Sequence, residues 1–129
     1  MIYIDSSVVL AQLLAEDRIP DQAFWQGGPF VSSRLLEYEV WNRINARGLA
    51  LSHAEDVRLI LGRLAFLELA PPVLTRALEP FPTAVRTLDA LHLASIEFLR
   101  RLGQRPELAT YDRRLADAAI SMDVPVITL

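Results

Sequence analysis

The chain opens on a β-branched and aromatic run, Ile2-Tyr3-Ile4, followed at once by Asp5-Ser6-Ser7, whose side-chain oxygens suit a turn and a helix start. From Val8 to Ala15 the apolar positions recur at helical spacing, and a short helix over Asp21 to Gln26 closes at Gly27-Gly28-Pro29. Phe30-Val31-Ser32-Ser33 reads as a second strand. Leu36, Val40 and Ile44 lie one turn apart in a longer helix over Leu35 to Arg47, with Gly48 just past its end. Ser52 and Glu55 form a capping-box pattern ahead of Val57, Leu59, Ile60, Leu61 and Leu64, which predicts a helix starting there. Phe66 to Ala70 is a third strand stopped by Pro71-Pro72, and Val73 to Leu78 has room for about two helical turns before Pro80 and Pro82. Thr87 is the expected cap of a strongly periodic helix that runs to Gly103. Leu108 to Tyr111 reads as a fourth strand, Arg113 to Met122 as a helix, and Val124 to Leu129 as a closing strand.

Strands that are near-continuous apolar runs, separated by helical segments, imply a parallel sheet covered on both faces. The predicted fold class is α/β, a three-layer α/β/α sandwich with a mostly parallel sheet of four to five strands. No repeat or linker interrupts the pattern, so residues 1–129 are expected to form one domain.

Composition narrows the chemistry. The chain has no Cys, which excludes disulfides, thiolate zinc sites and thiol nucleophiles. All 13 basic residues are Arg, against 16 acidic ones, for a net charge of −3. Schiff-base lysines and a P-loop lysine are therefore excluded, whereas fork-shaped donors for phosphate are plentiful. A chain this acidic does not coat nucleic acid by bulk charge, so any grip on RNA must come from a local Arg patch or a bound cation. No apolar run reaches the roughly 18 residues that a membrane span needs, and the start carries no basic, leader-like segment, so the expected setting is cytoplasmic, with no membrane partner.

In a parallel sheet of this kind, ligands bind beyond the carboxyl ends of the strands, where strand order reverses. Asp5 ends the first strand and Asp112 the fourth, Glu39 follows the second strand by two helical turns, and Asp89 lies in the first turn of the Thr87 helix. Four acids from distant segments can converge on that rim. Four bare carboxylates repel one another, and a divalent cation resolves the repulsion. Oxygen ligands without Cys or a His pair select Mg²⁺ or Mn²⁺, which would activate water against a phosphodiester. Each acid also has an ordinary reading: Asp5 and Asp112 as helix caps, Asp89 as a complement to the helix dipole, and Glu39 as an i,i+4 partner of Arg43, with Glu37 its rival in the same stretch. Asp117 reads as a surface partner of Arg113. His92 reads as a hydrogen-bonded core histidine, and Ser6, Ser7 and Thr110 as turn and cap hydroxyls. Arg43 and Arg113 lie within a turn of Glu39 and Asp112 and are the first candidates for phosphate contacts, ahead of Arg34, Arg76 and Arg86.

Taken in order, these segments resemble the PIN domain family, and within it the VapC-type toxins of bacterial toxin–antitoxin pairs. The resemblance covers the whole chain. It rests on Ile2-Tyr-Ile-Asp5-Ser-Ser, on Val31-Ser-Ser-Arg-Leu-Leu-Glu-Tyr-Glu39-Val, on Leu88-Asp89-Ala-Leu-His-Leu-Ala94 and on Thr110-Tyr-Asp112-Arg-Arg-Leu-Ala116. It selects Glu39 over Glu37 and implies that Asp5, Glu39, Asp89 and Asp112 hold Mg²⁺ or Mn²⁺ for catalysis. Ser6 and Thr110 would be supporting hydroxyls, and Asp117 a less secure addition. The implied activity is a metal-dependent endoribonuclease, with a cognate VapB-like antitoxin and a second copy of the chain as partners. The other class left open is a non-catalytic RNA- or protein-binding module on the same fold.

Overall fold

The computed structural model describes residues 1–129. Its framework is a four-stranded, all-parallel sheet built from β1 (Ile2–Ile4), β2 (Phe30–Ser33), β3 (Leu64–Leu67) and β4 (Glu107–Ala109), in the order β3-β2-β1-β4. Around it lie α1 (Ser6–Leu13), α2 (Gln22–Gln26), α3 (Arg34–Ala46), α4 (Ala50–Leu61), α5 (Pro71–Ala77), α6 (Thr87–Arg101) and α7 (Arg113–Ser121). The expected α/β sandwich is therefore the observed fold.

Side-chain alternation along the strands divides the core in two. Ile4, Phe30, Leu64 and Ala109 face one side, where Val8, Val9, Leu36, Val40, Ile44, Val57 and Leu61 from α1, α3 and α4 pack on them. Tyr3, Val31 and Leu108 face the other, against Leu93, Ile96 and Leu99 of α6 and Leu115, Ala118 and Ala119 of α7. Strand order runs outward from β1 through β2 to β3 and then jumps back across β1 to β4. The reversal thus falls between β1 and β4, and the residues just beyond those two strands meet there.

Several element ends differ from the sequence expectation, each for a physical reason. β3 begins two residues before Phe66 because Leu64 pairs with Phe30, and it ends at Leu67, before Glu68, which ion-pairs with Arg34 at 2.7 Å. β4 stops at Ala109 instead of Tyr111 because the next backbone N–H groups leave the ladder for hydroxyls: Tyr111 N–H donates to Ser7 Oγ at 2.9 Å and Asp112 N–H to Thr110 Oγ1 at 2.9 Å. The predicted fifth strand over Val124 to Leu129 is reduced to a single bridge between Val126 and Leu108, since Pro125 has no N–H to extend the ladder.

The capping box at Ser52 does not form. Gly48, at φ +67°, ends α3 with Leu49 N–H bonded back to Ile44 O, and α4 starts directly at Ala50. Ser52 then sits inside the helix, and its hydroxyl donates to Leu49 O. Thr87 is likewise the first residue of α6 and not its cap, a position held by Arg86. α5 starts at Pro71-Pro72, where proline's missing N–H is harmless. By contrast Ser33, at the end of β2, caps α3 by accepting from Leu35 N–H at 3.1 Å. We expect Ser33→Ala to cost about 1–2 kcal/mol in urea unfolding and Ser52→Ala less than about 0.5 kcal/mol. Equal losses at the two serines would contradict this assignment of the caps.

Candidate functional site

Beyond the carboxyl ends of β1 and β4 a cavity of about 800 Å³ opens, lined by Asp5, Glu39, Asp89 and Asp112 together with Ser6, Ser7, His92, Tyr111 and the arginines 18, 43 and 86. Each acid reaches it by a different route. Asp5 is the residue after β1 and the N-cap position of α1, and Asp112 caps α7, where its Oδ1 accepts from Arg114 N–H at 2.9 Å and Leu115 N–H at 3.3 Å. Asp89 lies in the first turn of α6, and Glu39 is on α3, one turn beyond the buried Leu36. Glu37 points elsewhere, into an ion pair with Arg34 at 3.3 Å.

Asp5 is only 5% exposed, and burial pushes its carboxyl up to about 6. The Ser7 hydroxyl, donating to Oδ1 at 2.6 Å, and the His92 ring work against that rise, while the Glu39 charge adds to it. Burial also raises Asp89, and the neighbouring Asp112 charge raises it further. The acids therefore interact as two pairs, Asp5 with Glu39 and Asp89 with Asp112.

No group of three or more His, Asp or Glu side chains is already closed around one ion position. The donor set nevertheless fits a hard divalent cation by its chemistry. All four donors are carboxylates, and each keeps an oxygen that is not taken by the hydrogen bonds to Ser7, His92 or the α7 backbone. Burial, with the Glu39 and Asp112 charges beside it, makes Asp5 and Asp89 weaker acids than usual, an effect that a cation among them would oppose.

The other candidates separate. Ser6 lines the cavity, but the hydroxyl that organises it is Ser7, which donates to Asp5, accepts from Tyr111 N–H and lies 3.3 Å from Thr110 Oγ1. A signal for it existed in the sequence: a hydroxyl two residues after an N-cap acid lies in the first turn and can fold back on that acid. Thr110, buried, ties the end of β4 to the Asp112 loop. Asp117 lies outside the cavity in an adjoining recess with Arg86, Asp89 and Arg114, and it makes no ion pair with Arg113. Arg43 lines the cavity, whereas Arg113 is exposed on α7 away from it. Arg34 and Arg76 are engaged by Glu68 and Glu97. Arg86 and Arg18 complete the basic lining, and Arg18 lies over the Tyr111 ring at 5.2 Å. Nothing in the local sequence around Arg18 marked it.

The PIN domain family profile matches residues 2–121. Among relatives, the chain is 36% identical over 129 residues to Ribonuclease VapC46 of Mycobacterium tuberculosis, covering 98% of this chain and 95% of that one. It is 32% identical over 121 residues to Ribonuclease VapC47 of the same species, covering 89% and 87%, and 30% identical over 132 residues to Ribonuclease VapC35, covering 98% and 96%. The chain belongs to the PIN domain family.

The buried acid sets a pH dependence. Folded Asp5, raised from 3.8 to about 6, binds its proton more tightly than the unfolded chain does, so the folded state holds more protons across that window. Stability of the metal-free protein should therefore fall as pH rises from about 4 to about 6, by on the order of 2–3 kcal/mol from this group. Asp5→Asn should remove most of that slope and raise the melting temperature of metal-free protein at pH 7. A lower melting temperature for this variant, with the slope intact, would show Asp5 to be a stabilising structural acid.

Proposed function

We propose that the protein is an Mg²⁺- or Mn²⁺-dependent endoribonuclease that acts as a cytoplasmic toxin and is neutralised by a cognate VapB-like antitoxin. The observation that carries this reading is the convergence of Asp5, Glu39, Asp89 and Asp112, from four separate segments, on one cavity that also presents Arg18, Arg43 and Arg86. Relatives named as ribonucleases over nearly the full length add weight to it.

In this reading Asp5, Glu39, Asp89 and Asp112 hold the cation. When bound, a divalent ion supplies charge neutralisation and an acidified water for phosphodiester hydrolysis. Ser7 and Thr110 keep Asp5 and the Asp112 loop in register, and the arginines bind flanking phosphates as planar forks. Arg43 remains an RNA contact in this scheme, joined by Arg18 and Arg86, and Arg113 serves at most from the rim. Asp117 is left outside the cation site.

Partner binding has support in exposed apolar side chains. Leu51 and Leu59 stand out from α4; separately, the exposed Leu74 of α5 and Leu78 just after it line a groove of about 690 Å³ that continues over Phe81, Val85 and Leu91. A second copy and the antitoxin are the partners we assign to such surfaces. No helix is long and apolar enough to cross a membrane.

The reading is tested with purified protein and structured RNAs. Cleavage should require Mg²⁺ or Mn²⁺ and stop with excess EDTA, and Asp5→Asn and Asp89→Asn should each slow it by about a hundredfold or more, the scale on which losing one charge-stabilising group acts. RNA that binds but is never cut with either metal would favour the non-catalytic module. Arg43→Ala and Arg86→Ala should weaken RNA binding, and each should reduce the slope of log affinity against log salt by about 0.7 for a single-stranded contact. An unchanged slope in the double variant would place the phosphate grip elsewhere.

A further inference from the structure

Behind Glu39 runs a polar chain that penetrates the core. Glu39 Oε1 is 2.7 Å from His92 Nε2, and His92 Nδ1 is 2.7 Å from the Tyr3 hydroxyl. His92 is 2% exposed and Tyr3 fully buried, with their rings edge to face at 5.8 Å. Three separate elements are joined: Tyr3 on β1, His92 on α6 and Glu39 on α3.

The directions of the hydrogen bonds follow from the surroundings. Burial holds the Tyr3 phenol in its protonated form. Its neighbours Ser32 and Ser95 spend their own hydrogens on the carbonyls of Ile4 and Leu91, at 2.6 and 2.8 Å. The Glu39 carboxylate oxygen can only accept, so Nε2 carries the hydrogen of a neutral imidazole and Nδ1 is the bare nitrogen, which accepts from the Tyr3 O–H. Oε1 is then committed, and Oε2 is the oxygen left without a protein partner at the cavity.

We propose that Tyr3 and His92 form a buried positioning relay that fixes the histidine tautomer, pins Glu39 by one oxygen and presents the other to the cation. Both residues act through Glu39. The inference rests on the metal-site reading above and adds to it two residues that set how one ligand is held. A glutamate on an otherwise free side chain loses rotamer freedom when it grips an ion, and the relay removes that loss beforehand.

The test is Mn²⁺ binding by the full chain, followed by calorimetry and by the Mn²⁺ paramagnetic resonance signal. His92→Gln should weaken binding by about ten- to a hundredfold, the range for groups that orient metal ligands, and Tyr3→Phe, which removes a single oxygen, by several-fold. In Glu39→Gln protein, adding His92→Gln should cost nothing further, whereas in Asp112→Asn protein the two losses should multiply. Nitrogen NMR of the metal-free protein should show His92 protonated at Nε2 alone, with that preference lost in Tyr3→Phe. Should His92→Gln fail to fold, Tyr3→Phe and the nitrogen spectrum decide. Wild-type protein that binds Mn²⁺ while both variants bind it equally well, or losses at His92 and Glu39 that multiply, overturns the relay alone. Wild-type protein that binds no Mn²⁺ overturns the metal reading and the relay with it.

Discussion

Withdrawal of the Asp5 carboxylate from water is the constraint on which the site is built. β1 is a central strand of three residues, and the acid that follows it emerges where strand order reverses, under α1 and beside the end of β4. Water's role is taken over by the Ser7 hydroxyl on Oδ1 and, behind it, Thr110. Those two hydroxyls also capture the backbone N–H groups of Tyr111 and Asp112, so the same bonds that solvate Asp5 end β4 and set the start of α7. What they do not supply is positive charge. Glu39 adds a second negative charge on one side and the Asp89–Asp112 pair adds more on the other. The cluster therefore holds more negative charge than its own hydrogen bonds offset.

Arginine usage follows the same division between framework and site. Arg34 and Arg76 are tied into ion pairs with Glu68 and Glu97, each also lying over an aromatic ring, Phe66 and Phe81 respectively. These are framework contacts at the edges of the sheet and of α5. Arg18, Arg43 and Arg86 instead line the acid cavity without carboxylate ion pairs. The lining as a whole stays acidic, with six carboxylates against these three guanidinium groups, so the arginines offer directed forks and not a net positive field.

The sequence was most legible where one residue's role is set by its immediate neighbours. An apolar run followed by an acid marks the end of a parallel strand, and that placed Asp5 and Asp112 at the rim. The start of the α6 period likewise placed Asp89, whereas on α3 the period left Glu39 and Glu37 as rivals and the family resemblance chose Glu39. Legibility failed where a second segment decides. β3 and β4 end according to pairing register and to hydroxyls from α1, and Pro125 matters only because Leu108 is its neighbour. The Ser52 box is locally well formed, yet the Gly48 turn starts α4 before it. His92 was readable as a hydrogen-bonded core histidine, but its partners lie 89 and 53 residues away, a distance over which local pattern carries no information. Arg18 was hidden for the same reason: it matters through what folds against it.

Core and site also share single helix stripes, which explains how a chain of this size can hold charged side chains firmly. On α6, Asp89, His92, Ile96 and Leu99 succeed one another at three- and four-residue steps along one face. The inner part of that stripe is locked into the apolar layer against Tyr3, Val31 and Leu108, and the outer part opens on the cavity. On α3, Leu36, Val40 and Ile44 do the same for Glu39 and Arg43 from the opposite face of the sheet. The functional groups therefore inherit the rigidity of two packed layers and need no dedicated loop to hold them. The strand between those layers supplies both: Ile4 packs toward α3 while Tyr3, one residue away, packs toward α6 and sends its hydroxyl to the histidine between them. A polar link from Tyr3 through His92 to Glu39 thus crosses the edge of the sheet and couples its two faces, something apolar packing on either face cannot do alone.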